Sequence, residues 1–201
     1  METRRVEAFS DGVFAVAITL LVLTIAVPEV RPGELSGGLL RTWPSLVAYA
    51  ASFLTIGIIW LNHHVVFTHI RRVDRPLLAL NLLLLMAVVL MPFPTDVLGH
   101  YLESPEDRGV AAAAYSVASA LMGVTFGGVW TYAVYHPNLL GPHVDVRKAR
   151  RSLPRFASGT LVYVVCIGLS FVSAPLAVAL CGGMAIYYAF NQIPLTEPPA
   201  E

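Results

Sequence analysis

The feature that most limits what this chain can fold into is a series of apolar runs of helix length, separated by short stretches rich in Pro, Gly or charge. The first, Phe9 to Val27, holds a single ionisable residue, Asp11. About 20 apolar residues carry an α-helix across the ~30 Å hydrocarbon core of a bilayer. Further runs occupy about residues 44–69, 76–98, 109–135, 156–173 and 175–190, so the pattern predicts six spans. A membrane barrel would instead alternate apolar and polar residues in strands of about ten. The expected fold class is therefore all-α integral membrane, a single six-helix domain over residues 1–201. Composition leads to the same class. With 56% of residues hydrophobic and 13% charged, too few polar side chains remain to cover a soluble domain of 201 residues. The first run is too long for a signal-peptide core and lacks a small-residue cleavage site, so it is expected to stay in the mature protein.

The boundaries follow from residues that end helices. Pro28, Pro32, Gly33, Gly37 and Gly38 predict a loop after the first span, and Trp43-Pro44 opens the second, with Pro in a first helical turn. Pro92-Phe93-Pro94 removes backbone donors and predicts a kink or unwinding at the outer end of the third. In the fourth, Gly123 and Gly127 lie four apart and predict a close helix–helix contact. Residues 136–154 read as one long polar connection anchored by Arg147, Lys148, Arg150 and Arg151, with an anionic-lipid site as the sharper reading. The last two spans are expected to meet at Ala174-Pro175, and the Pro- and Glu-rich tail needs no fold. Cys166 and Cys181 fall inside apolar runs and suggest neither a disulfide nor a metal site.

Orientation follows from the basic residues. Arg4 and Arg5, the Arg71 to Arg75 segment and the Arg147 to Arg155 segment hold ten of the thirteen Lys and Arg, and with six spans all three lie on one side. The positive-inside rule makes that side cytoplasmic, with both termini inside, which is the pattern of a multi-pass protein of the plasma membrane. No run of Lys and Arg interleaved with aromatics points to nucleic acid.

The same topology brings polar residues into register. Asp11 lies six residues past Arg5, Asn81 six past Arg75, and His63 and His64 about as far before Arg71, so at 1.5 Å per residue all sit ~9 Å from one surface. Ser10, Asp11, His63, His64 and Asn81 thus form a layer that is expected to close into a hydrogen-bonded clamp, with either histidine as the partner of Asp11. An unsatisfied polar group at that depth costs several kcal/mol. An alternative, compatible for different residues, has Ser10 and Asp11 capping the first helix. Along that helix Gly12, Val16, Thr19, Leu23 and Val27 recur at steps of three and four and make one stripe.

No catalytic constellation stands out. Adjacent His63 and His64 point about 100° apart and cannot jointly hold one metal from one face. Metalloprotease, nucleophile-elbow, Walker and dinucleotide motifs are absent, so neither an enzyme nor a cofactor is expected. A proton relay through Asp11 and a histidine is a further possibility, because imidazole titrates near physiological pH.

Several elements occur together and in order: Arg5-x-x-x-Phe9-Ser10-Asp11-Gly12, Trp60-x-x-His63-His64, Asp74, Asn81-Leu-Leu-Leu-Leu and Met91-Pro92-Phe93-Pro94-Thr95. In these the chain resembles prokaryotic members of the transmembrane protein 175 family, potassium-selective leak channels, closely over the first three spans and in number and spacing over the last three. The resemblance implies a homotetramer of six-helix subunits with no Thr-Val-Gly-Tyr-Gly filter loop, and none is found here. It implies a pore lined by the first helix, constricted at Val16, Leu20 and Leu23, with Thr19 at a position linked to potassium preference. Val16 departs from the usual Ile or Leu. The permeant would be potassium, with other monovalent cations, and no cofactor. Arg5, Phe9, Ser10, Asp11 and a histidine partner would brace the pore helices. The other function classes are a proton- or cation-coupled secondary transporter, for which only the Pro92 to Pro94 break speaks, and a membrane scaffold without conductance.

Overall fold

The computed structural model describes residues 3–190. The Pro- and Glu-rich tail lies outside them. Helix α1 covers Thr3–Leu20 and tightens into a 3-10 turn at Leu21–Thr24. Then come α2 (Leu35–Arg41), α3 (Trp43–Thr68), α4 (Arg75–Leu90), α5 (Pro92–Tyr101), α6 (Arg108–Tyr135), α7 (Val146–Leu169) and α8 (Ala174–Phe190). By length and composition, five helical segments of the described residues can cross a bilayer: Thr3–Thr24, Trp43–Thr68, Arg75–Tyr101, Arg108–Tyr135 and Val146–Leu169. The 17-residue α8 is equally apolar but shorter.

Three boundaries differ from those expected. Helix α1 begins at Thr3 rather than at Phe9, because the polar turn Thr3 to Ala8 is helical although it is not apolar. Part of the loop after the first span is the short helix α2, and Gly33, with φ +94°, makes the turn that leads into it. Helix α7 begins at Val146, ten residues before the apolar run. Its first turn is capped by the Asp145 carboxylate, which accepts from the N–H groups of Arg147 (2.9 Å) and Lys148 (3.2 Å). Pro154 lies inside this helix. The early turns are held on α6 by Trp130, whose Nε1–H donates to Ser152 Oγ at 2.9 Å and whose ring meets Phe156. Tertiary packing there outweighs the bond that proline removes. By contrast, Pro92 and Pro94 do split the third span: α4 stops at Leu90 and α5 restarts at Pro92.

The bundle is arranged as hairpins. Helix α1 packs on α3 and α4, α4 also packs on α6, and α6 packs on α7, while α8 fits against α3, α6 and α7. Gly123 is what lets α6 and α7 approach, since a Cβ there would lie 2.9 Å from Thr160 Oγ1; at Gly127 a Cβ would make only ordinary contact with Phe156. The turn between α7 and α8 falls at Ser170 to Ser173, just ahead of Ala174-Pro175.

The start of α1, the Arg71 turn and the loop that leads into the third basic segment meet at one end. Thr3 Oγ1 donates to the Arg71 carbonyl at 2.9 Å, the Arg71 N–H donates to the Leu139 carbonyl at 2.8 Å, and Gly141 N–H donates to the His69 carbonyl at 2.9 Å. Trp43 Nε1–H, donating to Glu103 at 3.2 Å, belongs to the opposite end.

Candidate functional site

Helix α1 has two faces. Val6, Ser10, Phe14, Ala17, Leu21 and Thr24 are buried, and their steps of four and three keep them on one side. Ser10 sits at 0% exposure among helices α1, α3 and α4 in an oriented chain of hydrogen bonds. Its hydroxyl donates to the Val6 carbonyl at 2.8 Å, and its oxygen accepts from Asn81 Nδ2 at 3.0 Å. The Asn81 carbonyl oxygen in turn faces His63 Nε2 at 2.9 Å. Because the last acceptor, a carbonyl, can only accept, every donor in the chain is fixed, and the His63 ring must carry a proton on Nε2. The ring stacks on Phe67 (centroids 4.2 Å apart) and is met by Phe14 at 5.4 Å. His63 Nδ1 is buried with no hydrogen-bond partner among the described residues, which suits a lone pair against aromatic carbon better than a second N–H.

At the edge of this face two further links tie α1 to α3. Trp60 Nε1–H donates to Asp11 Oδ1 at 2.8 Å, and His64 Nδ1 lies 2.8 Å from Glu7 Oε1. Glu7 and Asp11 are one turn apart, as are Trp60 and His64, so antiparallel helices pair them in register. The geometry corrects three expectations. The partner of Asp11 is Trp60, not a histidine: His63 turns inward to Asn81 and His64 outward to Glu7, as adjacent helical positions must. Ser10 and Asp11 do not cap α1, which begins seven residues before Ser10. Arg5 and Phe9 lie about 140° and 100° around the helix from Ser10; both are exposed and neither bonds to the cluster. Trp60 and Glu7 were missed as site residues. The signal for them was the matched spacing of four on both helices, Glu7 with Asp11 and Trp60 with His64.

The second face of α1 is apolar and uncovered. Val16 is 55% exposed, Leu20 38% and Leu23 76%, and Gly12 and Thr19 on the same face are exposed too. The Thr19 hydroxyl donates to the Val16 carbonyl at 2.8 Å, one turn back, so its proton is used while its oxygen keeps lone pairs toward the open side. Just beyond Leu20 the helix narrows into the 3-10 turn, where side chains three apart eclipse. Val27 lies past the end of that turn, outside helical geometry.

The comparisons with known proteins cover both faces. A family model described as endosomal/lysosomal potassium channel TMEM175 matches residues 5–92, from the first turns of α1 to the break after α4. A potassium channel of Streptomyces collinus is 50% identical over 195 residues, 96% of this chain and 95% of that one. A potassium channel of Chamaesiphon minutus is 41% identical over 193 residues, with 94% and 95% covered. The crystal structure of a lysosomal potassium-selective channel TMEM175 homolog from Chamaesiphon minutus aligns with a TM-score of 0.83 at 39% identity, over 94% of this chain and 96% of that one. The likeness therefore runs well beyond the first three spans.

Proposed function

The chain belongs to the transmembrane protein 175 family of potassium channels, and from that premise we propose that it is a leak-type potassium channel whose pore is lined by α1 around the axis of a homotetramer. It is not an enzyme. Each subunit contributes six spans, with α8 as the sixth, and both termini face the cytoplasm of a plasma-membrane protein.

The observation that carries this reading is the uncovered stripe of α1. A helix whose opposite face is fixed by directional bonds to α3 and α4 presents Val16, Leu20 and Leu23 in a set orientation. Four copies around an axis make successive aliphatic rings, and such rings close a pore by dewetting without a steric seal. Val16, smaller than Ile or Leu, makes its ring the wider one. Between the rings the Thr19 oxygen is the polar atom a partly dehydrated cation meets, since its lone pairs remain free to accept. Hydroxyls give a weaker field than a carbonyl cage, so discrimination of potassium over sodium is modest. No cofactor takes part; potassium and other monovalent cations pass.

Potassium flux from proteoliposomes tests the function, with sodium and proton gradients imposed separately. A channel gives flux that follows the potassium gradient and membrane potential alone, whereas flux that stops without a proton or sodium gradient would convert the reading to a coupled transporter. For selectivity, Thr19→Val keeps the shape and removes the oxygen, and the potassium–sodium bi-ionic reversal potential should move toward zero, with Thr19→Ser retaining the wild-type value. An unmoved potential in Thr19→Val leaves the aliphatic rings as the source of discrimination.

A further inference from the structure

Helices α6 and α7 pack closely at Gly123 but leave an open groove of about 440 Å³ along their flank, within the ~300–1,000 Å³ range of pockets that hold small ligands. Its shape is a track rather than a cup. On α7 the lining residues Leu153, Ala157, Leu161 and Val164 recur every three to four positions, which at 1.5 Å per residue gives a length of about 16 Å. On α6 the facing wall is lowered by Gly127 and Gly128. A track of that length with apolar walls matches a hydrocarbon chain lying parallel to the helices.

One end of the track is basic. A turn beyond Leu153 on α7 stands Arg150, and a turn beyond Thr131 on α6 stands Tyr135; the Arg150 guanidinium lies over the Tyr135 ring, 5.1 Å from its centroid. This stacking orients the guanidinium without using a carboxylate. Arg147 is one turn further along the same face of α7, and Arg151 is adjacent; all three are exposed, and none makes an ion pair among the described residues. The acidic residue of the segment, Asp145, is engaged by the backbone at the start of α7.

We propose that this groove is a binding site for an anionic phospholipid, with one acyl chain lying between α6 and α7 and the phosphate held by Arg150 and Arg147. A single amphiphile meets both features: an apolar track that begins where a cluster of exposed cations ends. Zwitterionic lipids fill the track equally well and bring the same phosphate, but their quaternary ammonium is repelled by the basic end and offsets that attraction, so the site discriminates by net headgroup charge. The site is built by α6 and α7, and α4, which packs on both α6 and α1, lies between it and the open stripe of α1.

The experiment uses the full-length protein in mild detergent and native mass spectrometry, with phosphatidylglycerol and phosphatidylcholine as probes. Wild type should retain phosphatidylglycerol in preference to phosphatidylcholine. Arg150→Gln and Arg147→Gln should each lower phosphatidylglycerol retention about fivefold and phosphatidylcholine retention distinctly less. Ala157→Trp fills the track from an exposed position and should abolish retention with thermal stability and oligomeric mass unaltered; Leu161→Trp is the second variant if Ala157→Trp does not fold. Equal retention of the two lipids by wild type overturns the proposal. So does undiminished phosphatidylglycerol retention in both tryptophan variants, which would reduce the site to a charged patch, or a change of oligomeric mass on filling the groove, which would place a second copy of the chain there.

Discussion

One side of α1, from Val6 through Ser10, Phe14 and Ala17 to Leu21, is buried against α3 and α4, while the other, from Gly12 through Val16 and Thr19 to Leu23, is open along its length. The buried side carries inter-helical hydrogen bonds, among them Asn81 to Ser10; on the open side the Thr19 hydroxyl bonds only to its own helix. Both sides are largely aliphatic, so hydropathy does not tell them apart. In lipid, burying Leu or Val against another helix gains little over leaving it in the bilayer. The rotation of α1 about its axis therefore has to come from directional bonds and shape, and the Ser10–Asn81–His63 chain supplies the first. What the difference teaches is that the polar residues of this helix decide which aliphatic stripe stays uncovered, and under the proposed pore they would bear on conduction through that choice.

The largest effect should come from the centre of the buried side. Asn81→Leu keeps the branched four-atom shape but strands the His63 Nε2–H, and should cost about 2 to 3 kcal/mol of stability in a detergent unfolding series. Adding His63→Phe should recover most of that loss, because replacing both partners by apolar groups of similar shape is nearly neutral. If the double variant is no better than Asn81→Leu alone, the chain is not what anchors this face.

A smaller effect is expected at the border between the two sides. Trp60→Phe removes one hydrogen bond to a partly exposed carboxylate and should cost about 1 kcal/mol. In double-mutant cycles Asp11→Ala should couple to Trp60→Phe and be additive with His63→Ala and with His64→Ala. Coupling to either histidine instead would contradict the pairing described above.

On the open side the effect on folding should nearly vanish. Leu23→Ala should change stability by less than about 0.5 kcal/mol yet raise basal potassium current, as a smaller ring dewets less readily. Val16→Ile should lower it. A clear stability loss in Leu23→Ala with unchanged current would make the stripe a packing surface, and the contrast between the two faces would collapse.

The smallest effect lies away from both faces, at the start of α7. The backbone N–H of Lys148, followed by that of Arg147, holds the Asp145 carboxyl below its ordinary range. A folded-state value below the unfolded one contributes stability that is present above the unfolded value and is lost as pH falls through the folded value. Asp145→Asn keeps an N-capping oxygen without the charge. The melting-temperature difference between wild type and Asp145→Asn should therefore be small near neutral pH and shrink as the pH is lowered from about 7 to about 3. A difference independent of pH would assign the cap no electrostatic part.

Much of this was legible in the sequence because the information runs along helix axes. A fixed rise per residue places Ser10, His63 and Asn81 at one depth from two basic segments, and the missing N–H groups of Pro92 and Pro94 mark the break in the third span. Family membership is written in the order of short motifs. Helix ends were less legible: the turns Thr3 to Ala8 and Val146 to Arg155 are polar helix, and hydropathy registers only where a helix enters the apolar phase. Pro154 stays inside α7 because its local preference is overridden by the contact of Trp130 with Ser152, residues that no local window brings together.

Which side chains meet within a layer was decided by tertiary structure alone. Depth is one coordinate, and contact also needs the rotation of each helix about its axis and its distance from its neighbour. Those are set jointly by Phe14, Phe67 and the hydrogen-bond chain, so Asp11 turns to Trp60 and His64 to Glu7 although all the candidates share one depth. The sequence by itself determined the all-helical membrane class and the layer at which polar groups must satisfy one another. The fold decided their partners and, through them, the face of α1 that remains open, because azimuth is a property of packed pairs of helices and not of any one of them.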